Sequence, residues 1–270
     1  MKIKFYGILC GCLLGSCWMW ADTVVLFETS LGDFEVQLYD RDGATRTTPL
    51  TVANFLTYVQ AEAYNGSFIH RRENDFVMQG GGYYYVNNAV TPLVANAPVV
   101  NEPGNPNVRG TIAMAKTAAG PDTATNQWFF NLKDNSVTLG DQNNGGFTVF
   151  GHVLGEGMDV VDALASVQVY NLSVLFNSPA FTQVPLWDGT YLLGIISISV
   201  VPFEVTEMIY APGSVTLRWS GAGDVPVQVL RATNLVTTDW QTLATGLTSG
   251  EYVDPAPPAS GPSFYQVKMP

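Results

Sequence analysis

Between residues 68 and 82 the chain reads FIHRRENDFVMQGGG, which brings a guanidinium, an imidazole, aromatic rings, a side-chain amide and a run of glycines into one short stretch. Arg71 offers a planar cationic fork that holds its charge at any working pH, so it suits chemistry needing a fixed positive charge and no proton transfer. Gln79 carries a donor and an acceptor on one amide. The apolar pair Phe68 and Ile69, followed by the acidic, turn-prone Glu73-Asn74-Asp75, gives the segment the form strand, turn, strand. Alternation through the second limb puts Phe76, Met78 and Gly80 on one face and Val77, Gln79 and Gly81 on the other, unless the glycine run introduces a bulge. Taken alone, this is a β-hairpin with a surface Arg and a half-buried His.

Other constellations carry less chemistry. DQNNGG at residues 141–146 has the opening of a calcium loop, but its fifth position is Gly145 and its twelfth is His152, so the oxygen ligands run out. Ser67, His70 and Asp75 sit too close along one hairpin for a hydrolase triad, and the chain has no G-x-S-x-G elbow, P-loop or paired-His metal motif. No metal or other cofactor is expected. Asn65-Gly66-Ser67 and Asn171-Leu172-Ser173 match glycosylation acceptors, which matter only in a eukaryotic host.

Two further blocks follow the first in order: RGTIAMA at 109–115 with NQWFF at 126–130, and FTVFGHV at 147–153 with GMDVVDAL at 157–164. With His70-Arg71, Phe76 and Gln79-Gly80-Gly81 in register, these blocks resemble the cyclophilins, the β-barrel peptidyl-prolyl isomerases, over roughly residues 23–200. The resemblance implies rotation of X-Pro peptide bonds in proline-containing polypeptides. It makes Arg71 the catalytic cation, with Phe76, Val77, Phe129 and Leu139 enclosing the proline ring. Gln79 would hold Arg71 and the substrate carbonyl, the backbone of Ala115 and Lys116 would pair with the peptide, Gln127 would line the neighbouring surface, and Phe147 would stand near the proline pocket where eukaryotic members often have His. His70 would position or pack rather than act as acid or base. The chain departs from the family where Thr138 replaces an aromatic ahead of Leu139, where residues 140–146 lengthen the same loop, and where Lys116 replaces the usual Asn. The lost aromatic and the longer loop motivate a second reading, a cyclophilin-fold module that binds proline segments with weak turnover, whereas Lys116, whose position works through its backbone, should leave activity intact.

The elements that must carry these residues are mostly strands. Residues 23–39 read as a hairpin turning at 30–33, with Phe34, Val36 and Leu38 alternating against Glu35 and Gln37. Thr48 as N-cap and Pro49 at the first helical position open a helix whose Val52, Phe55, Leu56 and Val59 form one apolar stripe. Residues 83–108 are rich in Asn and Pro and read as loop, residues 109–115, 127–132 and 147–153 as strands. Met158, Val161, Leu164 and Ala165 mark a second short helix, residues 166–190 a long loop, and residues 192–201 a last strand closing on the first. The fold expected is mainly β: a closed antiparallel eight-stranded cyclophilin-like barrel with two helices plugging its ends. From residue 202 short strands recur at 203–209, 214–220, 225–231, 240–244 and 264–268, with Trp219 on a core strand. This block resembles the small β-sandwich, fibronectin-type-III-like modules appended to secreted bacterial proteins, and a scaffold or adhesion role through it is a third reading.

The address lies at the N-terminus, where Lys2 and Lys4 precede an apolar run from Ile8 to Leu14, too short to span a bilayer but suited to an export signal. Cleavage after Ala21 would release a soluble protein, whereas Leu14-Gly15-Ser16-Cys17 resembles a bacterial lipobox that would tether it through Cys17; the soluble form is the reading adopted. The expected divisions are therefore 1–21 signal, 22–201 isomerase and 202–270 β module, in a periplasmic or extracellular monomer with no membrane span. All three cysteines, Cys10, Cys12 and Cys17, fall in the signal, leaving no thiolate nucleophile downstream. The net charge of −11 becomes more negative still without Lys2 and Lys4, which repels phosphate backbones and argues against nucleic acid as a partner.

Overall fold

The computed structural model describes residues 22–40, 46–234, 239–259 and 261–269; the expected signal, its lipobox and its cysteines lie outside the described residues. β1 (Val24–Thr29) and β2 (Gly32–Leu38) form the expected hairpin, with Thr29 opposite Gly32 across a two-residue turn. Cross-strand pairs Val25 with Val36 and Phe27 with Phe34 face the core, the two phenyl rings stacked with centroids 5.1 Å apart.

α1 (Pro49–Gln60) buries Val52, Phe55 and Val59 as its pattern requires, joined by Tyr58, while Leu56 sits half-buried at the margin. Its cap differs from expectation. The Thr48 hydroxyl is buried and makes no hydrogen bond. The free N–H groups of Leu50 and Thr51 instead donate to the Glu102 carboxylate at 3.2 and 2.8 Å, a distant anion meeting the positive end of the helix dipole.

β3 (Arg71–Glu73) and β4 (Val77–Gly80) make the second hairpin, with Asp75 at φ +48 inside a three-residue turn. The segment expected to be loop begins with a third hairpin, β5 (Tyr83–Val86) and β6 (Ala89–Pro92). Asn87 and Asn88 both take positive φ there, 52 and 61°, the turn geometry that matches strand twist and that Asn tolerates. β7 (Thr111–Met114), β8 (Trp128–Asn131), β9 (Val149–Val153) and α2 (Gly157–Ser166) follow where expected, α2 burying Val161 and Leu164. The next segment, also read as loop, contains β10 (Val169–Tyr170), a 3-10 turn at Pro179–Phe181, β11 (Val184–Trp187) and β12 (Tyr191–Leu192). These strands form a small sheet over a cluster of Phe68, Phe181, Val184 and Leu186. β13 (Ile195–Val201) then pairs with β1, so the single last strand expected from residue 192 is broken at Leu193-Gly194.

Eight strands form one antiparallel sheet in the order β13-β1-β2-β9-β7-β8-β4-β3, curled around a core of Phe27, Phe55, Tyr64, Trp128, Phe130 and Phe150. The sheet is open, which corrects the expectation of full closure. β3 and β13 do not share a ladder, because β3 is only three residues long and the Arg72 N–H donates to Gln183, just before β11. The seam is bridged by the residues before β3 and by the start of β13: Gly66 N–H to Ile195 O and Ile195 N–H to Ser67 O, each 2.8 Å, and Ile69 N–H to Leu193 O at 2.9 Å.

Downstream lie β14 (Glu204–Ala211), β15 (Ser214–Ser220), β16 (Val227–Ala232), β17 (Gln241–Leu247), β18 (Glu251–Asp254) and β19 (Phe264–Lys268), of which only β18 had no counterpart in the sequence reading. They pair as β14-β15-β18 and β17-β16-β19; β15, β16 and β19 supply a buried cluster of Val215, Leu217, Trp219, Val227, Val229 and Tyr265, whereas β14 is exposed along its length. Asp254 is buried beneath them, accepting from Arg231 at 2.7 Å and from the Tyr265 hydroxyl at 2.8 Å.

Candidate active site

Register across the sheet assembles the site. Arg71 on β3 lies opposite Gln79 on β4, Gln79 opposite Phe129 on β8, Phe129 opposite Ala113 on β7, and Ala113 opposite Val149 on β9. Residues directly opposite share a face, so one row across five strands presents a cation, an amide, an aromatic, a small residue and an aliphatic on the outer surface of the curl. The neighbouring row, Met78, Phe130 and Ile112, points into the core. A one-residue slip would exchange the two rows.

Around that outer row Tyr39, Val77, Ala113, Phe129, Leu139 and Val149 form a separate buried cluster, with Phe76, Ala115 and Phe147 half-buried against it. The alternation expected to set Phe76 apart from Val77 fails because Phe76 closes the turn and is not part of β4. Its position is fixed through the backbone: the Phe76 carbonyl accepts from Leu132 N–H and from the Asn135 side-chain amide, both at 2.9 Å. Phe129 and Phe147 meet edge to face at 6.0 Å.

The polar members form a chain beside this apolar floor. The Gln79 amide donates to Gln127 Oε1 at 2.8 Å, and Gln79 Oε1 accepts from Arg71 Nη1 at 3.4 Å. The other guanidinium edge is held by the Glu73 carboxylate. His70 lies beneath, 2% exposed, its ring edge-on to Tyr83 at 4.9 Å. Burial, then the Arg71 charge, push its pKa down to about 3 against a small opposing pull from a hydrogen bond with Gln127. The imidazole is therefore neutral throughout the physiological range.

Residues 24–184 match the family model for cyclophilin type peptidyl-prolyl cis-trans isomerases. The chain belongs to that family. A peptidyl-prolyl cis-trans isomerase of Acinetobacter baylyi is 37% identical over 179 residues, covering 66% of this chain and 90% of its own length. Isomerase A of Dickeya dadantii is 39% identical over 160 residues, covering 58% and 79%, and isomerase B of Escherichia coli is 40% identical over 149 residues, covering 53% and 85%. This cyclophilin is a peptidyl-prolyl isomerase by that membership. The family match ends at the start of β11, so β13, which pairs with β1, and all of β14–β19 lie beyond it.

The residues singled out in the sequence come together in this cyclophilin, with differences in detail. The Ala115 N–H is taken by the Gln127 carbonyl at 2.9 Å, so any pairing of Ala115 with a peptide falls to its carbonyl. The family resemblance has Lys116 act through its backbone; in the structure its ammonium also reaches into the lengthened loop. It donates to the carbonyls of Asn144 at 2.8 Å and of Gly146, and lies 4.8 Å over the Phe147 ring. Burial lowers its pKa, partly offset by Asp122. The extra residues 140–146 are thereby pinned against Phe147, and between this loop and residues 103–107 a cavity of about 270 Å³ opens behind Leu139 and Phe147. Sequence reasoning missed Tyr39 and Val149, which reach the pocket floor only through sheet register, and Glu73, which it used as a turn signal alone. The i, i+2 spacing of Arg71 and Glu73 on one strand was the available sign, since it places both on one face.

Proposed function

We propose that Arg71 is the catalytic cation of this isomerase, that Phe76, Val77, Phe129, Leu139 and Phe147 seat the proline ring, and that its clients are proline-containing exported or envelope proteins. The single observation carrying the assignment is the cross-strand row that sets the Arg71–Gln79 pair at the rim of an otherwise apolar cluster.

Rotation of a peptide bond faces a barrier of about 18–20 kcal/mol because the nitrogen lone pair is delocalised into the carbonyl. In the twisted state that lone pair localises on nitrogen. A guanidinium aimed at it stabilises the twisted bond and offers little to the planar one, the difference that accelerates a reaction. A charged hydrogen bond contributes about 1.5–3 kcal/mol, or one to two decades of rate at ~1.36 kcal/mol per decade. The remainder must come from the apolar walls, which exclude water and strengthen that interaction. Gln79, tied to Gln127, offers its amide oxygen to one edge of the fork, and His70, neutral and buried, supports the strand beneath it.

The extracytoplasmic part of the proposal rests on the N-terminal lysines, the short apolar run and the absence of cysteine after Cys17. Among the described residues no helix is long and apolar enough to cross a membrane. We assign residues 202–270 to a separate fibronectin-type-III-like module on a monomeric chain; a separate core under β15–β19 supports that division.

A protease-coupled peptide assay tests the site. Arg71→Ala should lower turnover at least about tenfold with affinity kept within a few-fold, the signature of a transition-state interaction. Arg71→Lys should restore little, because the charge returns without the planar fork. Phe76→Ala should weaken affinity instead, and because its ring is only half-buried it should cost less stability than the ~3–5 kcal/mol of a fully buried ring. Near-normal turnover in folded Arg71→Ala would remove Arg71 from the mechanism.

A further inference from the structure

We propose that Glu73 restrains the catalytic Arg71, holding its guanidinium in an ion pair at the pocket rim that must loosen for the twisted peptide bond to be stabilised. The inference rests on the reading of Arg71 as the catalytic cation. Arg71 and Glu73 stand two residues apart on β3, on the same face, and the register partner of Glu73 is Val77, a wall of the pocket. The Glu73 carboxylate accepts from Arg71 Nη2, whereas Gln79 holds Nη1 at 3.4 Å. A charge-assisted bond is the stronger of two such grips, so Glu73 and not Gln79 sets where the fork rests in the free protein.

The same contact divides the charge of Arg71 between two acceptors. The carboxylate is present at every stage of the reaction, but the nitrogen lone pair is available only in the twisted state. Planar substrate has little use for the guanidinium, so the pair leaves binding almost untouched and takes its toll on turnover. Solvent limits the size of the effect, since the two side chains are 31% and 41% exposed and pairs of that kind are weak. Releasing the pair should therefore raise turnover about two- to fivefold, equivalent to ~0.4–1 kcal/mol at ~1.36 kcal/mol per decade. Salt should act in the same direction, because it screens a half-exposed pair.

The experiment compares the full-length chain with its Glu73→Gln variant in the protease-coupled assay, using an uncharged proline tetrapeptide from low to ~0.5 M salt, after circular dichroism has shown both to be folded. The expected result is a two- to fivefold gain in kcat at low salt with KM unchanged, and a rise of wild-type kcat with salt that is absent from the variant. Glu73→Asp, which keeps the charge, should stay near wild type. The gain should also disappear when Glu73→Gln is made in an Arg71→Ala background. Unchanged or lower turnover in Glu73→Gln, a gain confined to KM, or the same gain without Arg71 would each overturn the proposal. The two readings fail separately: a tenfold loss in Arg71→Ala beside an inert Glu73→Gln removes only the restraint, whereas normal turnover in Arg71→Ala removes the catalytic cation itself.

Discussion

His70 shows how a residue inside the signature can matter without taking part in proton transfer. Its pKa is about 3 in the folded chain, driven down by burial and by Arg71, against ~6.5 when unfolded. Below ~6.5 the unfolded chain binds a proton that the folded chain refuses, so stability rises with pH there and levels off above it. Chemical denaturation between pH 3 and 8 should accordingly show a plateau above ~6.5 and a loss of up to ~1.4 kcal/mol per pH unit below it from this group. His70→Gln, in a variant that folds, should flatten that slope. Turnover should behave differently, remaining flat from about pH 6 to 8, because neither His70 nor a guanidinium changes charge in that window. A bell-shaped rate profile would mean that an acid or base drives the reaction.

At the level of elements, the start of α1 is decided far from α1. The Thr48-Pro49 pair announces a helix, and one forms, but the capping acceptor is Glu102, whose own backbone N–H donates to the Thr148 hydroxyl at 2.8 Å. One residue thus ties the proline-rich segment to the helix through its carboxylate and, through its backbone N–H and Thr148, to the strand that carries Val149. Glu102→Ala should cost about 1–2 kcal/mol in urea unfolding, the range for a lost cap with a favourable dipole contact. Thr48→Val should cost little, since that hydroxyl has no partner. The reverse ranking would restore Thr48 as the cap. Gly80 and Gly81 make a comparable point on β4. A Cβ on Gly80 would fall 2.6 Å from the Trp128 ring, and one on Gly81 would fall 2.7 Å from the Asn126 carbonyl at a φ of +76°. The glycine run exists so that the signature strand can lie flat on a core tryptophan.

At the scale of the whole molecule, the loop between β15 and β16 touches the curled sheet at Gln37 and His152. Gln37 on β2 accepts from the Asp224 backbone N–H at 2.7 Å, and His152 on β9 meets the Asp224 carboxylate at 3.0 Å. Gly223 passes so close to Gln37 that a Cβ would lie 2.2 Å from the side-chain oxygen, at a φ of +56°. Gly223→Val should therefore loosen the contact by about 1–3 kcal/mol, from steric conflict and left-handed strain combined. Asp224→Ala should cost less than about 1 kcal/mol, because that carboxylate is two-thirds exposed and water already competes for it. Calorimetry of the full chain would read this as a separate, lower transition for β14–β19 in Gly223→Val. Two separated transitions already present in the wild type would show that the contact couples nothing.

The parts legible from residues alone were those written in local order. An apolar run marked β1, period-two alternation marked β2 and β9, the 3.6-residue stripe marked both helices, and the spacing of His70, Arg71, Phe76 and Gln79 with the two later blocks identified the family. Each depends on neighbours within a few turns or pairs of the same strand, which is where steric and hydrophobic periodicity act. Tertiary structure decided what depends on which segments meet. It put Tyr39 and Val149 on the pocket floor through register, assigned the α1 cap to a residue 52 positions beyond Leu50, and left the sheet open because the edge of β3 is claimed by Gln183. It also gave Glu73 its partner: the i, i+2 spacing puts Glu73 on the same face as Arg71 only once residues 71–73 are known to be strand rather than turn. A hydrogen bond needs only a partner at the right distance and angle, and chain order does not encode that until the strands have paired.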